Sequence, residues 1–93
     1  GAIRFLRQAI QDINTQDFMA KGRNIGKAQD IIIELNTVLD METGGEIAQN
    51  LRSLYNFMNR HLTEANVKCD PKRIQEVIEL LEDLNQSWKA ITG

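Results

Sequence analysis

The chain has 93 residues, with 11 basic and 13 acidic side chains and a formal charge of −2, the size of one modest domain. A composition of 42% apolar and 26% charged residues excludes a disordered tail, and the missing basic excess argues against a nucleic-acid partner. The single cysteine, Cys69, excludes an internal disulfide framework and fits a reducing compartment.

One proline, glycines mostly at ends and turns, and no alternating β-branched runs predict an all-α protein with four helices. The first is predicted over about Ala2 to Ile13, with Ile3, Leu6, Ala9, Ile10 and Ile13 on one stripe. No Ser, Thr, Asp or Asn precedes it to satisfy the free N–H groups of a helix start. With no initiator methionine either, residue 1 is expected to lie inside a longer helix, its first part and the preceding tail missing from a fragment.

Asn14 to Asp17 is a polar break, with Thr15 or Asp17 able to cap the helix that follows. That second helix runs to about Leu39, with Ile25, Ala28, Ile32, Leu35 and Leu39 at alternating three- and four-residue steps. Gly22 and Gly26 inside it each cost about 1 kcal/mol relative to Ala. Either another helix approaches closely there, or the first turns are loose. Polar neighbours make a membrane Gly-x-x-x-Gly pair a poor account.

Thr43 and Glu46 form a capping-box pattern before the third helix, which is expected to reach about Val67. Asp70 and Pro71 then open the fourth helix as N-cap and first helical residue. Its apolar face carries Ile74, Val77, Ile78, Leu81, Leu84, Trp88 and Ile91, and Trp88 is assigned to the core. Short connections between four such helices predict an antiparallel four-helix bundle, one domain over residues 1–93. No apolar run nears the roughly 20 residues needed to span a bilayer, and no signal-peptide pattern is present. The chain is expected to be soluble and intracellular, without membrane insertion.

At about 100° per residue, Ile47, Leu51, Leu54, Met58 and Ala65 make the narrow core stripe of the third helix. Ala48, Tyr55 and Leu62 widen it on one side and Phe57 on the other, to an arc of roughly 180°. Ile31, Ile32 and Ile33 are consecutive, so they cannot all point inward; Ile33, among polar helical neighbours, is expected to face solvent or a partner. Periodicity leaves two readings of this surplus open. Small bundles expose some apolar surface anyway, or a groove here receives an amphipathic segment of another protein. Ile33, Tyr55, Phe57 and Leu62, beyond the core stripe, are the candidate groove residues.

Catalytic chemistry is poorly supported. A single helical histidine, His61, invites comparison with histidine phosphotransfer domains, yet Glu64 stands three residues on, where a carboxylate would repel a phosphate. A histidine at a core boundary is the simpler account. Cys69 has no second Cys or nearby His in metal-ligand spacing and reads as a lone surface thiol. Glu76, Glu79, Glu82 and Asp83 read as a solvated face. Gly44-Gly45 could hold an anion on free N–H groups, but Glu42 and Glu46 flank it and favour a structural turn. No enzyme, cofactor or metal site is expected.

The residues also resemble a known family along nearly the whole chain. The matching stretches are Gly1-Ala2-Ile3-Arg4-Phe5-Leu6, Lys27-Ala28-Gln29-Asp30-Ile31-Ile32 with Glu34-Leu35, and Leu39-Asp40 followed by Gly44-Gly45-Glu46-Ile47-Ala48 and Asn50-Leu51. Leu54-Tyr55, Met58, Leu62, Ala65-Asn66, Val77, Leu80-Leu81, Leu84 and Trp88 continue the pattern. In order and spacing the chain resembles the flagellar secretion chaperones of the FliS family. The resemblance implies a cytoplasmic, ATP-independent export chaperone that binds the disordered C-terminal region of flagellin and blocks premature filament assembly. It also implies delivery of flagellin to the flagellar type III export apparatus, whose components would be further partners. Family members begin further upstream, with a tail that can fold over part of the groove. The resemblance tips the surplus apolar arc toward a client groove; a generic helical adaptor for another amphipathic helix is the alternative.

Overall fold

Short polar breaks set the helix boundaries. The computed structural model describes residues 1–39 and 44–92, with side chains to residue 86. It has four helices: α1 (Ala2–Asn14), α2 (Phe18–Thr37), α3 (Gly45–Lys68) and α4 (Pro71–Thr92). Of the two caps considered for α2, Asp17 is the one used: its carboxylate accepts from the Ala20 N–H at 3.2 Å. Thr15 instead closes α1, its hydroxyl donating to the Asp12 carbonyl at 3.3 Å. The α4 start follows the sequence as read, with Asp70 Oδ1 accepting from the Lys72 N–H at 3.0 Å and Pro71 as the first helical residue. The Thr43 half of the capping box and the core assignment of Trp88 lie outside the described residues.

Paired side chains show the antiparallel order. Positions climbing α2 meet positions descending α3: Lys21 with Asn66, Gln29 with Thr63, and Asn36 with Asn56. His61 with Glu76 and Glu64 with Arg73 do the same for α3 and α4. Each helix packs on its neighbours in sequence and α1 closes on α4, so the four form a ring; among the described residues the diagonal pairs do not pack. This is the antiparallel four-helix bundle expected of the sequence.

The core is aliphatic. Leu6, Ile25, Ile32, Met58, Leu62, Ile74, Val77 and Ile78 are its fully buried large side chains, with Ala9, Ala28 and Ala65 filling the close contacts. Each large aliphatic side chain contributes about 1.5–3 kcal/mol by leaving water.

Two expectations about faces need correction. On α3 the inward line is Ala48, Met58, Leu62 and Ala65, whereas Ile47 is 73% exposed and Leu51 and Leu54 are only half-buried. Met58, Leu62 and Ala65 are four and three residues apart, so they share one face, and the helix is rotated toward the Leu62 side of its wide apolar arc. On α2, Leu35 is 41% exposed rather than core. The first residues of α1 stand level with Ile31 and Leu35 of α2 and with Leu81 and Asn85 of α4. Val38 and Ile47 are exposed as well.

The glycine pair in α2 is neither a close approach nor a loose turn. The helix is regular through both positions. A Cβ built on Gly22 would meet only Asn66 Oδ1, at 3.8 Å, and one on Gly26 would meet nothing within 4 Å.

Candidate functional site

The four residues singled out beyond the core stripe do not share one groove. Ile33 is 51% exposed, as its polar neighbours required. It stands on α2 between Gln29 and Asn36, both hydrogen-bonded to α3, so it lies beside the α2–α3 seam. Phe57 is 38% exposed and sits on the other side of α3. Its ring stacks on His61, with centroids 4.9 Å apart, and His61 Nε2 lies 3.1 Å from Glu76 Oε2 on α4. Ser53, Asn56, Asn59 and Arg60 of α3 line a polar depression.

Tyr55 is half-buried and packs against the core, and burial raises its hydroxyl pKa above 10.0. Leu62 must be removed from the exposed set. It has no accessible surface and belongs to the core, because it sits one helical turn after Met58 and one before Ala65. The wide arc seen in the sequence was therefore in part the real core stripe, displaced.

A concavity where α1 begins was not anticipated. It is an open cleft of about 610 Å³, with an apolar floor from Ala2, Ile3, Ile31, Leu35 and Leu81. Arg4, Arg7, Gln8, Gln11 and Asn85 line its walls. The signal lay in Ile31 and Leu35, four residues apart and therefore on one face of α2. Such a cleft, apolar below and cationic at the rim, suits an apolar side chain on a segment carrying some negative charge.

A second cluster pairs Arg73 with two carboxylates, Glu64 at 2.6 Å and Asp70 at 3.1 Å. It ties the end of α3 to the start of α4 and leaves Glu64 engaged beside His61. The imidazole is held by the stacked Phe57 ring and, through Nε2, by the Glu76 carboxylate. Among the described residues no group of three or more His, Cys, Asp or Glu could hold a metal ion. No described helix is long and apolar enough to cross a membrane.

Comparison with known proteins decides the family. The family model described as "Flagellar protein FliS" matches residues 1–93. The chain belongs to the FliS family. It is 43% identical over 91 residues to the flagellar secretion chaperone FliS of Vibrio cholerae, covering 98% of this chain and 67% of that protein. The Salmonella typhimurium FliS is 42% identical over 93 residues, covering 99% and 69%. The Bacillus subtilis FliS is 36% identical over 89 residues, covering 96% and 65%. FliS relatives across these organisms are thus named as chaperones, a role that is not enzymatic.

Proposed function

We propose that this FliS-family chain is a cytoplasmic export chaperone that binds the disordered C-terminal region of flagellin, prevents its premature polymerisation and assists its delivery to the type III export apparatus. The observation that carries this reading is the family match over the whole chain to proteins named flagellar secretion chaperones. Two features of the bundle support it. Ile33 and Phe57 present apolar side chains on opposite flanks of α3, and the cleft at the start of α1 offers a third apolar position. Contacts spread in this way suit a client that wraps in an extended path, not one helix laid in one groove.

No catalytic step is required. Filament-forming segments of flagellin expose apolar stripes while free, and a surface that buries them competes with self-assembly by mass action. Because the client orders on binding, part of the contact free energy is spent on that ordering, which keeps binding reversible. Ile33, Phe57 and the exposed edge of Tyr55 are the proposed client contacts, with Leu62 supporting Tyr55's side of the helix from within the core.

Titration calorimetry against a peptide covering the flagellin C-terminal region, with an order-scrambled control, tests the reading. Selective binding with a negative heat-capacity change is expected. Equal binding of the scrambled peptide would instead favour a generic adaptor for amphipathic segments. No heat and no perturbation of the protein's amide resonances at saturating peptide would overturn the client assignment.

A further inference from the structure

Lys21 is 94% out of solvent, at 6% exposure, although it carries a charged amine. Lysine reaches such depth only when its ammonium finds partners. Here Nζ donates to the Asn66 carbonyl at 2.7 Å and to Cys69 Sγ at 3.2 Å, and the Phe18 ring covers it with its centroid 5.5 Å away. Among the described residues no carboxylate pairs with it. Cys69 is held just as specifically. It ends α3 in the left-handed conformation, φ 50° and ψ 50°, a position usually given to glycine or asparagine, and its thiol is half-buried rather than freely exposed. A nucleophilic nitrogen and an oxidisable sulfur thus sit at 3.2 Å, within the roughly 3–3.5 Å from which oriented groups react.

From this pair we infer that Lys21 and Cys69 form a reversible covalent sulfenamide cross-link when the protein meets a peroxide. In the first step the Cys69 sulfur attacks one oxygen of hydrogen peroxide. The O–O bond breaks, water leaves, and sulfur, oxidised by two electrons, becomes a sulfenic acid. In the second step Lys21 Nζ, having given its extra proton to solvent, attacks that sulfur. The N–S bond forms and the S–O bond breaks; the departing hydroxide takes one amine proton and leaves as a second water. The sum is thiol plus amine plus one peroxide giving sulfenamide plus two waters. A thiol reductant reverses it by attacking the sulfur and returning the amine.

The link would join the first turn of α2 to the C-cap of α3, at the end of the bundle where the α1–α2 and α3–α4 connections meet. It closes a long stretch of chain, since the partners are 48 positions apart, so its formation is expected to raise Tm. The chemistry is also unusually easy to read. The chain contains one cysteine, so a monomer that loses about 2 Da cannot owe the loss to an internal disulfide.

The test treats the purified chain with hydrogen peroxide and measures intact mass, thiol alkylation and cross-linked peptides. The expected result is a monomer lighter by about 2 Da, closed to alkylation, with the Lys21 and Cys69 peptides joined and both changes reversed by dithiothreitol. Lys21→Arg, which keeps the charge but offers no comparable nucleophile, should instead accumulate sulfur oxides. Wild-type protein that gains only oxygen atoms, or that forms only disulfide-linked dimers, would overturn the proposal. The peptide map on wild-type protein decides the matter even where the variant folds poorly.

Discussion

Asp12 on α1 accepts a 2.7 Å hydrogen bond from Asn24 Nδ2 on α2, and the same carboxylate takes a second, at 3.1 Å, from Gln8 Nε2. Asp12 is 5% exposed and has no cationic partner among the described ion pairs; two amides satisfy it. Its backbone carbonyl meanwhile accepts from the Asp17 N–H at 2.8 Å, so one residue fixes both the helix pair and the turn between them. Asp12→Ala leaves two amide donors without their acceptor and is expected to cost about 1–3 kcal/mol. Chemical denaturation of the two proteins measures it, and an unchanged midpoint would show that water replaces the carboxylate.

Ile33 and Leu62 should separate cleanly by experiment. Ile33→Asp, on a half-exposed side chain, is expected to weaken binding of the flagellin peptide while leaving Tm unchanged. Leu62→Ala, in the fully buried line of α3, is expected to destabilise by about 2–5 kcal/mol. Paired melting and calorimetry report both, and a collapsed Tm for Ile33→Asp would place that side chain in the core.

Gly26 is a site where stability is open to gain. It lies in a regular helix, and a methyl group there meets nothing within 4 Å. Gly26→Ala is expected to stabilise by up to about 1 kcal/mol, through helix propensity and a less free unfolded chain. If urea denaturation shows a loss, a neighbour must occupy that space.

Asn59 makes the opposite case. Its backbone carbonyl accepts from Gln29 Nε2 and Thr63 Oγ1, but its side-chain Oδ1 is buried with no hydrogen-bond partner. Asn59→Ala removes that unsatisfied oxygen and improves helix propensity. It is expected to be neutral or stabilising, by as much as about 1 kcal/mol. A clear destabilisation in thermal melts would mean that the amide has a partner, such as an ordered water.

Tyr55 gives a pH prediction. Burial raises its pKa above 10.0, so the folded protein keeps the phenol proton after the unfolded chain has begun to lose it. Its contribution is fully present below pH 10 and is lost as pH rises through the higher folded value. Tm is therefore expected to fall on the alkaline side of pH 10, and part of that fall should be missing in Tyr55→Phe.

These positions also show what a sequence can convey. Asp70-Pro71 and Asp17 marked helix starts because capping is a local affair of one side chain and its own next turn. The rotation of α3 was not legible, because an apolar arc of roughly 180° satisfies several inward directions equally well. Only the neighbouring helices choose among them, and they placed Leu62 inside and Ile47 outside. Lys21 and Asp12 were invisible for a related reason. Periodicity is read from apolar residues, whereas a charged side chain is buried by partners far off in sequence, as Asn66 is from Lys21. The cleft at the start of α1 likewise needed three helices in place before Ile31 and Leu35 acquired a common surface.

The ring of helices has a kinetic consequence. Three of its four contacts join helices adjacent in sequence, so most native interactions close only a short turn and carry little loop entropy. Hairpins of α1 with α2 and of α3 with α4 can assemble before the chain has searched widely. The exception is the seam between α1 and α4, whose partners stand at opposite ends of the chain and meet through pairs such as Arg7 and Glu82. Folding of this domain should accordingly be fast, with the closing of that seam as its latest event. Substitutions there should act mainly on the unfolding rate, those within either hairpin more on the folding rate.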